Sequence, residues 1–245
     1  MMTKDSLTVH LDEEGPQFLV LHQGVEKTKA LIKTNLSGAS IGVQDLERAV
    51  NPAGKATKWE IPGLGDENES VSEIAGVIIG QQPYRVYWKG EYAGGGEQPD
   101  CMSIDMMEGS GDPGGPCADC PYNQWGSGKT PNSKACQERS RVFILRESEM
   151  LPMVLTLSPI NSGAVRRYGL RLLNKKQIGL NHVVSKLRLE QAKSPSGFDY
   201  AKVIVSLDYV LPPEMQNQME SYAQYLLPQL LNLEIVEEDA EEVPF

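Results

Sequence analysis

Histidine, cysteine and long apolar runs are all scarce in this 245-residue chain, and each scarcity closes off a class of protein. The three histidines, His10, His22 and His182, are isolated from one another, and none stands at ligand spacing from a second metal-binding residue type. Each reads as a packed or surface residue, which leaves no paired histidine and carboxylate set for hydrolysis. No apolar stretch reaches the roughly 18 residues that a membrane-spanning helix needs. The one fragment of a phosphate-binding loop, Gly126-Ser127-Gly128-Lys129-Thr130, has the right ending but lacks the first glycine at the required distance. No charged-then-apolar leader is seen at Met1-Met2-Thr3-Lys4, so a reducing, cytoplasmic setting is expected. Without a catalytic constellation the chain reads as a non-enzyme.

All four cysteines lie between Cys101 and Cys136, in the order C-x15-C-x2-C-x15-C. Cys117 and Cys120, in the run Cys117-Ala118-Asp119-Cys120-Pro121, form a knuckle that can bind one metal from adjacent corners, with Cys101 and Cys136 at the other two. Four sulfur ligands favour tetrahedral Zn2+, with iron as runner-up, and a fully ligated ion leaves no open position for catalysis. The expected cofactor is thus a structural zinc. Two disulfides or four ordinary buried thiols are the competing readings. A reducing compartment argues against the first, and the Gly- and Pro-rich flanks at 109–116 and 126–131 argue against the second.

The formal net charge of -10 points away from nucleic acid until its distribution is considered. Between Lys129 and Lys202, 14 Lys and Arg stand against 5 Asp and Glu, whereas the segment after Lys202 carries 9 acidic residues and no basic one. Such segregation suggests a basic binding face and a separate acidic tail.

Secondary-structure signals give an α+β chain, mostly β with added helices. Residues 17–22 read as a strand, 25–33 and 42–50 as short helices, and 63–70 as an acidic, flexible boundary. Strands follow at 71–79 and 84–92. In the second, Tyr84, Val86 and Trp88 fall on one face and Arg85, Tyr87 and Lys89 on the other. A ring between two cations has the composition of a stacking platform for single-stranded bases, whereas Tyr84 and Trp88 read as packing. Tyr122 and Trp125 lie in a polar, Gly-rich loop with little core to join. A strand at 138–146 places Arg139 and Arg141 beside Phe143 and Leu145, and another spans 153–157. Ser162 is a candidate cap for a helix at 163–174 that carries Arg166, Arg167, Arg171 and Lys175. A hairpin, 183–191 and 200–207, displays Lys186 and Arg188. Pro212-Pro213 opens a last helix with a Met215, Met219, Tyr222 and Leu226 packing stripe. The candidate nucleic-acid contacts are Arg85, Tyr87, Lys89, Tyr122, Trp125, Lys129, Arg139, Arg141, Arg166, Arg167, Arg171, Lys175, Lys186 and Arg188.

The sequence ends in an acidic run closed by an aliphatic residue, proline and phenylalanine. Here Glu241, Glu242, Val243, Pro244 and Phe245 resemble the acidic C-terminal tip of bacterial single-stranded DNA-binding proteins, with Glu in place of the usual Asp and Val in place of the usual Ile. The resemblance covers only the last nine or so residues. It implies a hook that docks on replication and repair proteins. The body is similar in plan to the zinc-containing helix-destabilising proteins of bacteriophages, which combine an oligonucleotide-binding barrel, a metal-stapled subdomain and an acidic tail. The best known of these uses a histidine among its cysteines, and this chain would not.

The resulting expectation is an oligonucleotide-binding (OB-fold-like) barrel over 71–233, with a four-cysteine zinc subdomain at 101–136 and a disordered acidic tail at 234–245. Residues 1–70 form either an extension or part of the core. The implied role is binding and protecting single-stranded DNA in replication, recombination or repair, in the host cytoplasm if the chain is phage-encoded. The acidic tail would occupy the basic groove when DNA is absent. A strand-annealing mediator and a zinc-module adaptor without DNA binding are the alternatives.

Overall fold

The computed structural model describes residues 18, 24–49, 55–63, 65, 67–90, 98–194 and 197–231. Eleven strands and three α-helices form an α+β architecture among them. Strand β4 (Glu73–Tyr87) organises the sheet because apolar residues dominate its first half, Ile74, Val77, Ile78 and Ile79, and are buried on both faces. It runs unbroken where two strands, 71–79 and 84–92, are expected from the sequence; Val71 belongs to β3, β4 stops at Tyr87, and residues 91 and 92 lie outside the described residues. Gly80 to Pro83 continue it instead of turning, with Gln82 opposite Arg141 and Pro83 opposite Ser140.

On one side β4 pairs antiparallel with β8 (Gln137–Leu145), which pairs with β9 (Met153–Leu157), and β9 takes the short β1 (Arg48–Ala49) in parallel. On its other side β4 is shared. Residues 73–77 bind β10 (Val183–Lys193), which continues to β11 (Asp199–Val210), and residues 85–87 bind β5 (Cys101–Ser103), which leads to β6 (Glu108–Gly111) and β7 (Gly115–Pro116). A register shift between Ile78 and Gly80 marks the bend that lets one strand serve two neighbours.

The expected barrel is not closed. Among the described residues the sheet is open, with β1 at one end and β11 and β7 ending its two branches. Closure is unnecessary because both faces are already covered. On one face Phe143, Leu145, Val77 and Val184 meet α1 (Val25–Asn35) and α3 (Pro213–Leu231) through Ile32, Met219, Tyr222, Leu226 and Leu230. On the other, Val142, Ile144, Ile74, Ile78 and Leu187 meet α2 (Ala164–Lys176) through Val165, Tyr168 and Leu172. The hairpin of β2 (Trp59–Pro62) and β3 (Asn68–Val71) covers the same face. At Gly80 an added Cβ would sit 2.5 Å from the Leu227 side chain, so α3 packs closely on the sheet at a glycine.

Of the described N-terminal residues, Phe18, Val43, Trp59 and Ile61 are buried in the core, and the Trp59 indole donates to the Leu187 carbonyl at 3.1 Å. The expected helix at 42–50 is a single 3-10 turn (Val43–Asp45) followed by β1, and residues 68–70, the end of the expected flexible boundary at 63–70, belong with Val71 to β3. Ser162 does not cap α2, whose N-cap is Gly163; its hydroxyl donates to the Pro159 carbonyl. The remaining parts of the strand expected at 17–22, and the whole of 232–245, lie outside the described residues. No described helix is long and apolar enough to cross a membrane.

Candidate nucleic-acid interface and cysteine pocket

Sheet register explains how cysteines far apart in sequence meet. Tyr87, near the end of β4, is paired with Cys101 on β5, and its predecessor Val86 is paired with Gln137, the residue after Cys136. Cys101 and Cys136 therefore flank Tyr87 from opposite neighbours, and paired residues share a face. The intervening loop folds back to bring the knuckle to the same place. The Cys117 N–H donates to the Met107 carbonyl at 2.7 Å, and the Cys136 N–H donates to the Tyr122 carbonyl at 2.8 Å. Asn123 locks the knuckle from within, its side chain donating to the Cys117 carbonyl at 2.6 Å and its N–H to the Cys120 carbonyl at 3.0 Å.

One small pocket is consequently lined by Cys101, Cys117, Cys120 and Cys136 together with Arg85, Tyr87 and Asn123. All four thiols are free. Burial pushes the Cys136 thiol up to about 11, and the charges of Cys117 and Cys120 push the same way. Cys101 is raised chiefly by burial and then by the same two neighbours, against an opposing backbone hydrogen bond from Gly114. Gly109 makes room for the first sulfur, since a Cβ there would lie 2.9 Å from Cys101 Sγ. Four sulfurs lining one pocket are donors of the kind a soft cation takes, and binding one would release the protons that the raised thiols hold. As they stand, no three or more Cys, His, Asp or Glu among the described residues are arranged to hold a metal ion.

Beyond Tyr87 the pocket wall becomes the floor of a groove of about 930 Å3, lined by Tyr87, Trp88 and Tyr122, by Lys89, Lys129 and Lys134, and by hydroxyl and amide groups of Ser127, Ser133 and Gln137. No carboxylate is among its described lining residues. Lys89 is nonetheless paired with Asp112, which raises its pKa, and its backbone N–H donates to Asp100 at 2.7 Å. Lys134 donates to Asn123 Oδ1 at 3.1 Å and stands 5.2 Å from the centroid of Trp125, which is 74 % exposed. Lys134 also lines a neighbouring hollow with Trp125 and Ser162, so Trp125 lies at the rim.

Of the residues expected to contact nucleic acid, the structure brings together Tyr87, Lys89, Tyr122 and Lys129, with Trp125 beside them. Tyr87 and Tyr122 do not present two separate platforms. Their rings stack on each other at 4.1 Å with 19° between planes, and burial followed by the Tyr122 hydrogen bond pushes the Tyr87 hydroxyl up to about 12. Arg85 turns toward the cysteines and donates to the Met106 carbonyl at 3.1 Å. Lys186 and Arg188 lie away from the groove. Lys186 is paired with Asp208 at 2.9 Å and Glu73 at 3.6 Å, and Arg188 with Glu73, because β10 lies between the acidic edges of β4 and β11. Arg166, Arg167, Arg171 and Lys175 are carried by α2, and its buried face is formed by Val165, Tyr168 and Leu172 instead. Arg139 and Arg141 lie on the opposite face of the sheet from Tyr87, over the rings of Trp88 at 4.9 Å and Tyr84 at 4.5 Å.

Lys134, Trp88, Ser133 and Gln137 are groove residues that sequence reasoning missed. The signal for Lys134 was its place two residues before Cys136, inside a loop that the cysteines draw to the sheet. Trp88 had none, because its strand alternation pointed to a core. Glu241, Glu242, Val243, Pro244 and Phe245 lie outside the described residues. No family model, no curated protein and no solved structure matches the chain.

Proposed function

We propose that the chain is a non-enzymatic single-stranded DNA-binding protein whose binding loop is held by a structural zinc ion. The observation that carries this reading is the groove: three aromatic rings and three lysines meet in one concave surface with no described carboxylate in its lining. Bases offer π-faces to rings and phosphates need cations, and a single strand presents both at once where a duplex hides its bases. Cys101, Cys117, Cys120 and Cys136 would hold the zinc, which would cross-link β5, the residue before β8 and the loop that carries Tyr122. The open sheet with its bent β4 takes the place of the closed oligonucleotide-binding barrel. The acidic segment 234–245 would recruit replication, recombination or repair proteins in the cytoplasm of a cell or of a phage-infected host.

The test is fluorescence anisotropy of labelled poly-dT across a salt series with duplex competitor, paired with metal analysis of the reduced protein. Tight, salt-sensitive binding that duplex fails to displace supports the proposal. No binding at low salt refutes it. A protein-docking adaptor is the second reading, favoured by Leu170 and Leu173, exposed at 55 % and 60 % among the arginines of α2.

A further inference from the structure

We infer that Arg48 and Arg141 form a second phosphate subsite, on the face of β4 and β8 opposite the cysteine pocket, which takes a backbone phosphate of the same single strand. The inference rests on the single-strand reading and extends it beyond the groove. Arg141 is half-buried on β8 opposite Gln82, and β9 separates it from Arg48 on β1: Thr156 is paired with Arg141, and Val154 with Arg48. Ala49 faces the α2 core, so Arg48 projects to the same side as Arg141. Burial lowers the affinity of the Arg141 guanidinium for its proton, and the charge of Arg48 acts in the same direction.

A half-buried guanidinium with a second, exposed one across β9 calls for an anion. Neither guanidinium is in an ion pair with a described carboxylate. Arg141 is instead held by neutral groups, lying 4.5 Å over the Tyr84 ring and donating to Gln82 Oε1 at 3.2 Å. That support fixes the plane of a fork with five N–H donors, and donors remain for an incoming oxygen, which is the preorganisation that bidentate recognition of a phosphate requires. A carboxylate partner, had one been built in, would have cancelled the site.

The subsite is reached from the groove along the register of β4 and β8. Trp88 and Gln137 line the groove, and they also hold Arg139, whose guanidinium lies over the Trp88 ring and donates to Gln137 Oε1 at 2.9 Å. From Trp88 the rings and guanidiniums alternate along β4 and β8 as Trp88, Arg139, Tyr84, Arg141. Gln82 lies six residues from Trp88, about 20 Å along the strand. Arg139 and Arg141, two residues apart on one face, repeat every ~7 Å, a spacing suited to successive phosphates of an extended strand. A strand that fills the groove can therefore pass over the end of β4 and run along this ladder.

The test measures oligo-dT of about 4 and about 16 nucleotides, the usual range of site sizes, against wild type, Arg141→Gln and Arg48→Gln. Arg48 is exposed at the sheet edge, so its variant keeps the test valid if Arg141→Gln fails to fold. The long oligomer should bind about tenfold more weakly, its salt slope should shrink by about 0.7 for each phosphate no longer held, and the short one should bind as before. Equal weakening at both lengths, or none, overturns the subsite while leaving the groove intact. If wild type binds neither oligomer, the single-strand reading falls and the subsite with it.

Discussion

Replacing Trp125 by alanine separates a ring that serves folding from one that serves a ligand. Three-quarters of its surface is exposed, and its one described ring contact is Lys134 at 5.2 Å. An exposed cation–π pair contributes about 0.5–1 kcal/mol, so the variant should lose no more than about 1 kcal/mol of stability. A ring that stacks on a base contributes about 1–3 kcal/mol to binding, so the dissociation constant for poly-dT should rise about 5- to 150-fold. Tyr122→Ala is the control with the opposite pattern. It breaks the stack on Tyr87, a pair contribution of about 0.5–1.5 kcal/mol beyond area burial, and uncovers Tyr87, which lines the cysteine pocket, so stability falls along with binding. Anisotropy titrations beside thermal melts of the same samples decide the matter. An unchanged affinity with Trp125→Ala would refute its role as a base platform and shift weight to α2 and protein partners.

Three further outcomes are expected. Cys117→Ser with Cys120→Ser should abolish zinc retention, read by mass spectrometry under native conditions, and lower stability by several kcal/mol because the binding energy of a structural metal is folding energy; the far-UV circular dichroism of the sheet should persist, since neither core cluster includes a cysteine. Asp105 accepts from the N–H groups of Glu108 and Met107 and from the Ser103 hydroxyl, which hold its carboxyl below the usual carboxylate range. Its contribution is therefore present above the unfolded-state pKa and lost as pH falls through the lower folded value. Asp105→Asn should flatten the acid limb of melting temperature against pH, and an unaltered limb would assign that limb to other groups. Deleting Glu234 to Phe245 removes six acidic residues, so single-strand affinity should rise, most at low salt where counterion release dominates; equal affinity of the two forms at low salt would exclude competition between that segment and DNA.

Local periodicity made most elements legible. Residues 153–157 alternate around a buried Met153, Leu155 and Leu157 and form β9 with the expected bounds, and α2 and the β10–β11 hairpin follow from a 3.6-residue and a two-residue pattern. The helix expected at 42–50 failed because its apolar spacing, Val43 and Leu46 with Ala49, suits packing of a turn and a short strand equally well. The convergence of the cysteines was also legible, because a two-residue knuckle with paired outer partners restricts how the chain can close.

Which side chains face one another is decided across strands, where sequence separation carries no information. Lys186 and Arg188 are cations on an exposed-looking strand face in the sequence, but β10 lies beside Glu73 and Asp208 and the charges are matched internally. Tyr87 and Tyr122 lie far apart along the chain, and only the fold-back of the cysteine loop turns two separate rings into one stack. Charge segregation and the cysteine order are properties of the chain itself. The groove, and the division of the arginines between two faces of one sheet, exist because β4 bends and shares its edges, a consequence of packing on both faces at once.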